Sequence, residues 1–218
     1  MHLGTMQRLT GDYPAAAATL QQALALHRDV GDRYKQACTR NELGTVQRLT
    51  GDYEAAAAGH REALAEFSDL GDPLGQANAS NELGLQQQLT GDYPAAATSH
   101  QQALKLYRDI GNRHGQAEAL NSLGELLSRT APGQQACGYH SQALAIAVDL
   151  GTPLQEARAL EGIGRGHLDD GEVGEGTAHL QQALTIYQRI GAPGSRRVKG
   201  ILLDNYAKKD NLTSAPEQ

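Results

Sequence analysis

A glycine recurs in this chain every 40 residues, at Gly4, Gly44, Gly84, Gly124 and Gly164, preceded by leucine in the first four copies and by isoleucine in the fifth. Other small residues keep the same interval. Alanine stands at Ala16, Ala56, Ala96 and Ala136, with Gly176 in the fifth place, and an Ala-Leu pair begins at Ala23, Ala63, Ala103, Ala143 and Ala183. Residues 9–13, 49–53 and 89–93 all read LTGDY. A period of this length identifies each copy as one supersecondary unit. Such a unit cannot bury its apolar face alone, but a stack of them can.

Each copy reads as two helices. Residues 33–50 carry apolar side chains at helical spacing and no β-branched cluster. Gly51 stops that helix, and Asp52 caps a second one running to about residue 69. Gly71 stops the second helix, and Asp72 caps a third that opens with Pro73, where proline is favoured. Thr152 and Gln155 have the spacing of a capping box. The turn residues Gly11, Gly51, Gly91, Asp52 and Tyr53 are therefore read as punctuation: glycine for the left-handed residue, aspartate for the cap, tyrosine as a wedge under the turn. The recurring glycine and alanines let paired helices approach closely.

Leu43, Gly44, Gly51, Tyr53, Ala56 and Ala63 match, in order and spacing, the pattern of the tetratricopeptide repeat, which the chain resembles over essentially its whole length. Its 40-residue period exceeds the usual length of about 34. In that respect it is similar to the repeats of spindle-orientation scaffolds and to the arrays of large bacterial regulators. The resemblance implies an all-α, right-handed α-solenoid of five helix pairs plus a C-terminal capping helix. The expected units are about 1–31, 32–71, 72–111, 112–151 and 152–191, followed by a cap helix at 194–208 and a frayed tail at 209–218. Against the other copies, the first helix lacks about two turns, so its apolar edge near Leu3 and Leu9 is expected to find a second copy of the chain or further repeats. The fourth copy replaces LTGDY with RTAPG at 129–133. The fifth holds six glycines in residues 161–176 and is expected to be the weakest.

Composition narrows the function. The net charge is −6, and the basic residues cluster only near the end, at Arg196, Arg197, Lys199, Lys208 and Lys209. An acidic body argues against a nucleic-acid surface, and the basic cluster is read as a solvated helix face. No apolar run approaches the length of a membrane span. Two cysteines, Cys38 and Cys137, are too few for a disulfide framework and are expected to be free. A cytoplasmic protein is expected.

No catalytic set is legible, and the chain is read as a non-enzyme without cofactor. Gly162, Gly164 and Gly166 give G-x-G-x-G, which is not a nucleotide-binding fingerprint. His60, His100 and His140 hold one place in three copies. Stacked helices lie about 8–10 Å apart, too far for shared metal bonds of about 2 Å, so packing or hydrogen bonding is expected there and no metal. The resemblance implies a concave face lined by the first helix of each pair. On it would lie Asn41, Asn81, Asn121 and Glu161, together with Thr45, Arg48, Gln88, Glu125 and Arg165. Two readings of the asparagines stay open: amides that hold an extended peptide backbone, or amides that bond neighbouring helices within the stack. The function expected is protein or peptide recognition, as a scaffold within a larger regulator or as an adaptor. The alternatives are a peptide-sensing receptor module and a self-assembly unit.

Overall fold

Glycine and aspartate mark the helix boundaries in the computed structural model, which describes residues 2–130 and 134–213. Eleven α-helices occupy the described residues, with no strand among them. They are α1 (His2–Leu9), α2 (Tyr13–Asp29), α3 (Arg33–Thr50), α4 (Tyr53–Leu70), α5 (Pro73–Thr90), α6 (Tyr93–Asp109), α7 (Arg113–Thr130), α8 (Gln134–Leu150), α9 (Pro153–Asp169), α10 (Val173–Arg189) and α11 (Gly194–Thr213). At the turn after α3, Gly51 takes φ 88°, a conformation that a side chain disfavours. The next residue supplies the cap: the carboxylates of Asp12, Asp52 and Asp92 accept the N–H groups of Ala15, Ala55 and Ala95. Asp32 and Asp72 cap α3 and α5 in the same way.

The later turns depart from this scheme. Thr152 and Glu172 stand at the N-caps of α9 and α10 without a side-chain cap bond. The Thr152 hydroxyl instead donates back to the Ala147 carbonyl, and the Gln155 amide oxygen is taken by Asn121 and Arg158, so the capping box does not form. Helix α11 continues to Thr213, past its expected end at 208 and into the segment expected to fray. Residues 214–218 and 131–133 lie outside the described residues.

The chain divides into two compact units, Met1–Gly115 and Gln116–Gln218. In the first, α1 to α6 pack in chain order, each on the next. Its core is built in thin layers. Ala16, Leu20, Leu43 and Val46 pack together, with Tyr13 and Ala17 against them. Ala37, Ala63, Phe67 and Ala79 form a second layer. Tyr13 packs against the first of these layers, whereas Tyr53 is 37% exposed. In the second unit α8 to α11 also pack in order, around Ala157, Leu160, Leu180, Ala183, Tyr187 and Val198. The glycines of the fifth copy have specific neighbours here. A Cβ on Gly162 would lie 2.2 Å from the His140 ring, and one on Gly166 would lie 2.3 Å from the Cys137 sulfur. Both cysteines are free.

Candidate functional site

The first helices of the repeats carry a polar network whose members are spaced by the period. Within each of three repeats, an asparagine and a histidine 19 residues apart meet. The ring Nδ1–H groups of His60, His100 and His140 donate to Oδ1 of Asn41, Asn81 and Asn121 at 2.8, 2.8 and 3.1 Å. The recurring glycine makes room for the ring: a Cβ on Gly44, Gly84 or Gly124 would lie 2.9, 2.7 or 2.5 Å from it. Where the ring is absent, so is the asparagine. In the fifth copy Leu180 fills the histidine's place against Gly164, and Glu161 stands where the asparagine would. Burial depresses the pKa of His60 and of His140 to about 4. Both rings are therefore neutral near pH 7, as a ring donating to an amide oxygen in a dry site should be.

This geometry places the sequence-predicted residues as follows. Asn81 and Asn121 are 2% and 0% exposed, and Asn41 is half-buried. Asn121 also donates its amide to the carbonyl and side-chain oxygens of Gln155. A ligand backbone reaching these amides would have to displace bonds they already make. Thr45 is buried and donates to the Asn41 carbonyl. Gln88 is buried, with its amide nitrogen 3.4 Å from Nε2 of His100. Arg48 pairs with Glu82 of the following repeat at 3.0 Å, as Arg8 pairs with Glu42 at 3.3 Å. Glu125 takes Arg158 at 2.9 Å. Arg165, more than half exposed, lies 3.5 Å from Glu161.

Glu161 is the member that sequence reasoning undervalued. It is buried, yet Arg197 grips both its oxygens at 2.6 Å and the Tyr187 hydroxyl donates to it at 3.0 Å. Arg197 of the basic cluster, its side chain 57% exposed, thus links α11 to α9. The signal for the asparagines was present in the sequence: their constant separation from the histidines, and the loss of both residues together in the fifth copy.

Within each unit these side chains bond mainly to one another, and their ion pairs stay partly open to solvent. Arg48 and Glu82 keep 16% and 21% of their side-chain surface exposed. A preorganised, partly hydrated charged edge can recognise polar or charged groups without rearranging its own backbone.

A tetratricopeptide-repeat family model matches residues 1–65. No curated protein matches the sequence. Among solved structures the chain is similar to BtubC (BKLC) from P. vanneervenii, with 17% identity over 94% of each chain and a TM-score of 0.70. It is similar to a signal transduction ATPase with numerous domains, which carries a tetratricopeptide-repeat sensor, from Pyrococcus horikoshii. That likeness has 15% identity and a TM-score of 0.76, and it covers 91% of this chain but 30% of the other. A Rap protein complexed with competence and sporulation factor is also similar, at 15% identity and a TM-score of 0.72, over 84% of this chain and 51% of that one. At such identities the likeness is one of fold. The family match thus covers residues 1–65, and over the rest of the chain the likeness to these structures is one of fold.

Proposed function

We propose that the chain is a non-catalytic interaction module that binds an extended peptide or protein segment along the polar face of its first helices. The observation that carries this reading is the pair of equivalent, partly exposed ion pairs Arg8–Glu42 and Arg48–Glu82, set 40 residues apart. Adjacent packed helices are about 8–10 Å apart, a step matched by about three residues of extended chain at ~3.3 Å each. A peptide crossing these helices therefore meets a charged pair at regular intervals of its own sequence. Because Asn81 and Asn121 are committed to their histidines, the groups left for a ligand are the outer edges. In the first unit these belong to Arg48 and Glu82, with exposed Asn78 on the same helix as Glu82; in the second, to Glu125 and Arg165. The Rap protein solved with competence and sporulation factor supports the peptide-sensing form of this reading. A role within a larger regulator or as an adaptor belongs to the same proposal.

A selection of random peptides on the intact chain, followed by affinity measurement, tests it. Exchanging the pair (Arg48→Glu with Glu82→Arg) keeps the ion pair but reverses the polarity of the edge. Selected peptides are expected to lose about tenfold or more in affinity to the exchanged protein, a size reasonable for reversed charges at an interface, while its melting temperature stays within a few degrees of wild type, about the scale of 1 kcal/mol or less. If no peptide is enriched, or if enriched peptides ignore the exchange, the face is not the binding site.

A further inference from the structure

The turn between α9 and α10 differs from its counterparts at four positions at once. The third repeat has Gln87, Asp92, Ala95 and Ser99 there; the fifth has His167, Glu172, Glu175 and His179. The repeat geometry already brings the first and last of these positions together, since the Ser99 hydroxyl donates to the Gln87 side chain at 2.8 Å. In the fifth repeat that contact becomes a stack of the His167 and His179 rings, with centroids 5.3 Å apart and 18° between planes. Donor atoms of His167, Glu172 and Glu175 all lie within 4.8 Å of one another. Glu172 occupies the N-cap of α10, but its side chain accepts none of the helix's backbone N–H groups. Its carboxylate turns instead to Nδ1 of His167 at 2.5 Å, with a Glu175 oxygen 3.7 Å from the same nitrogen.

The geometry points to a divalent transition-metal site of the zinc class at this turn, held by Nδ1 of His167 and by the carboxylates of Glu172 and Glu175. A tetrahedral centre with bonds of about 2.0–2.1 Å holds its donors about 3.3 Å apart. The distances of 2.5 and 3.7 Å at Nδ1 bracket that separation. The movement needed is therefore small and falls on Glu172 and Glu175, whose side chains are 57% and 72% exposed. The cation takes the place of the hydrogen on Nδ1, which the neutral ring carries on Nε2 instead once Nδ1 ligates. His179 places a second imidazole alongside. Its Nδ1–H donates to the Glu175 carbonyl at 3.0 Å, which leaves Nε2 with its lone pair, the arrangement of a histidine ready to ligate. Imidazole with carboxylate favours zinc and its neighbours over calcium or magnesium, which want oxygen alone. A cation bound here joins the end of α9 to the start of α10.

Zinc chloride titrated calorimetrically into the chelator-stripped, tag-free full chain tests the site, and cobalt(II) absorption reports the coordination. The variant His167→Gln with Glu175→Ala installs residues that the earlier repeats carry at these positions, so the turn keeps a sequence known to fold within this chain. Glu175→Ala alone, at an exposed position, is a second variant. Wild type is expected to take up one equivalent of zinc, to melt higher with it, and to give a tetrahedral cobalt spectrum. The double variant is expected to lose affinity by at least about tenfold with its metal-free melting temperature unchanged. Absence of saturable uptake by wild type, or equal uptake by both variants, overturns the assignment.

Discussion

A buried imidazole must place its ring N–H, and Asn41 does this for His60 at 2.8 Å. Removing the acceptor while the ring stays leaves an unsatisfied buried donor, worth about 1–3 kcal/mol. Asn41→Ala is therefore expected to destabilise by that amount in urea unfolding. In the His60→Leu background, where the ring is gone, the same change should cost much less, giving a coupling of about 0.5–3 kcal/mol. A coupling near zero would mean that the pair is incidental and would free the amide for a ligand. The same rings make stability depend on pH. His60 and His140 have folded pKa values of about 4, below the ordinary 6.5. The unfolded chain then binds more protons between those values. Stability should be level above about pH 6.5 and fall as pH drops from 6.5 toward 4, by up to about 1.4 kcal/mol per pH unit for each histidine. Unfolding at pH 7.5 and pH 5 checks this, and the double change His60→Leu with His140→Leu should flatten the profile over that window.

Glycines within helices separate into two kinds at the scale of the element. Gly138 in α8 has nothing within 4 Å of the position its Cβ would take, whereas that of Gly162 in α9 would meet the His140 ring. Gly138→Ala should raise stability by about 0.5–1 kcal/mol through helix propensity alone. Gly162→Ala should lower it by about 1–3 kcal/mol through overpacking. Thermal melts of the two variants decide between them, and equal effects would reject the packing account. Counting glycines in 161–176 reads that stretch as weak. The packed neighbours of Gly162, Gly164 and Gly166 show that the count alone misses what occupies the space.

Repeat proteins have nearest-neighbour energetics, so a helix whose apolar face is left exposed opens more readily than one whose face is covered. Leu3 and Met6 of α1 are 62% and 57% exposed, while their equivalents one repeat later, Leu43 and Val46, are buried on α2. Amides of α1 are expected to exchange faster than those of α3 and α5. The exposed pair should also drive concentration-dependent association of the chain, read by light scattering. Leu3→Glu with Met6→Glu should abolish that association, and a strictly monomeric wild type at high concentration would sink the idea.

The helix boundaries and the repeat are legible in the amino-acid sequence alone, because local chemistry sets both. Gly51 is the residue that tolerates φ 88°, and Asp52 reaches the N–H of Ala55 three residues on. Such interactions need no knowledge of what packs where. Thr152 marks the limit even of local reading, since its hydroxyl found the Ala147 carbonyl instead of a cap. The partners of the polar face lie 19 or about 34 residues away, and a hydrogen-bond pattern at that range depends on which helix faces which. Only tertiary packing decided that Asn41, Asn81 and Asn121 satisfy histidines, that Arg48 reaches Glu82 and that Arg197 pairs with Glu161. It likewise decided that His167, Glu172 and Glu175 converge. The physical reason is that a side chain's donors and acceptors are fixed by its identity, but in a buried layer the nearest complementary group claims them, and folding chooses that neighbour.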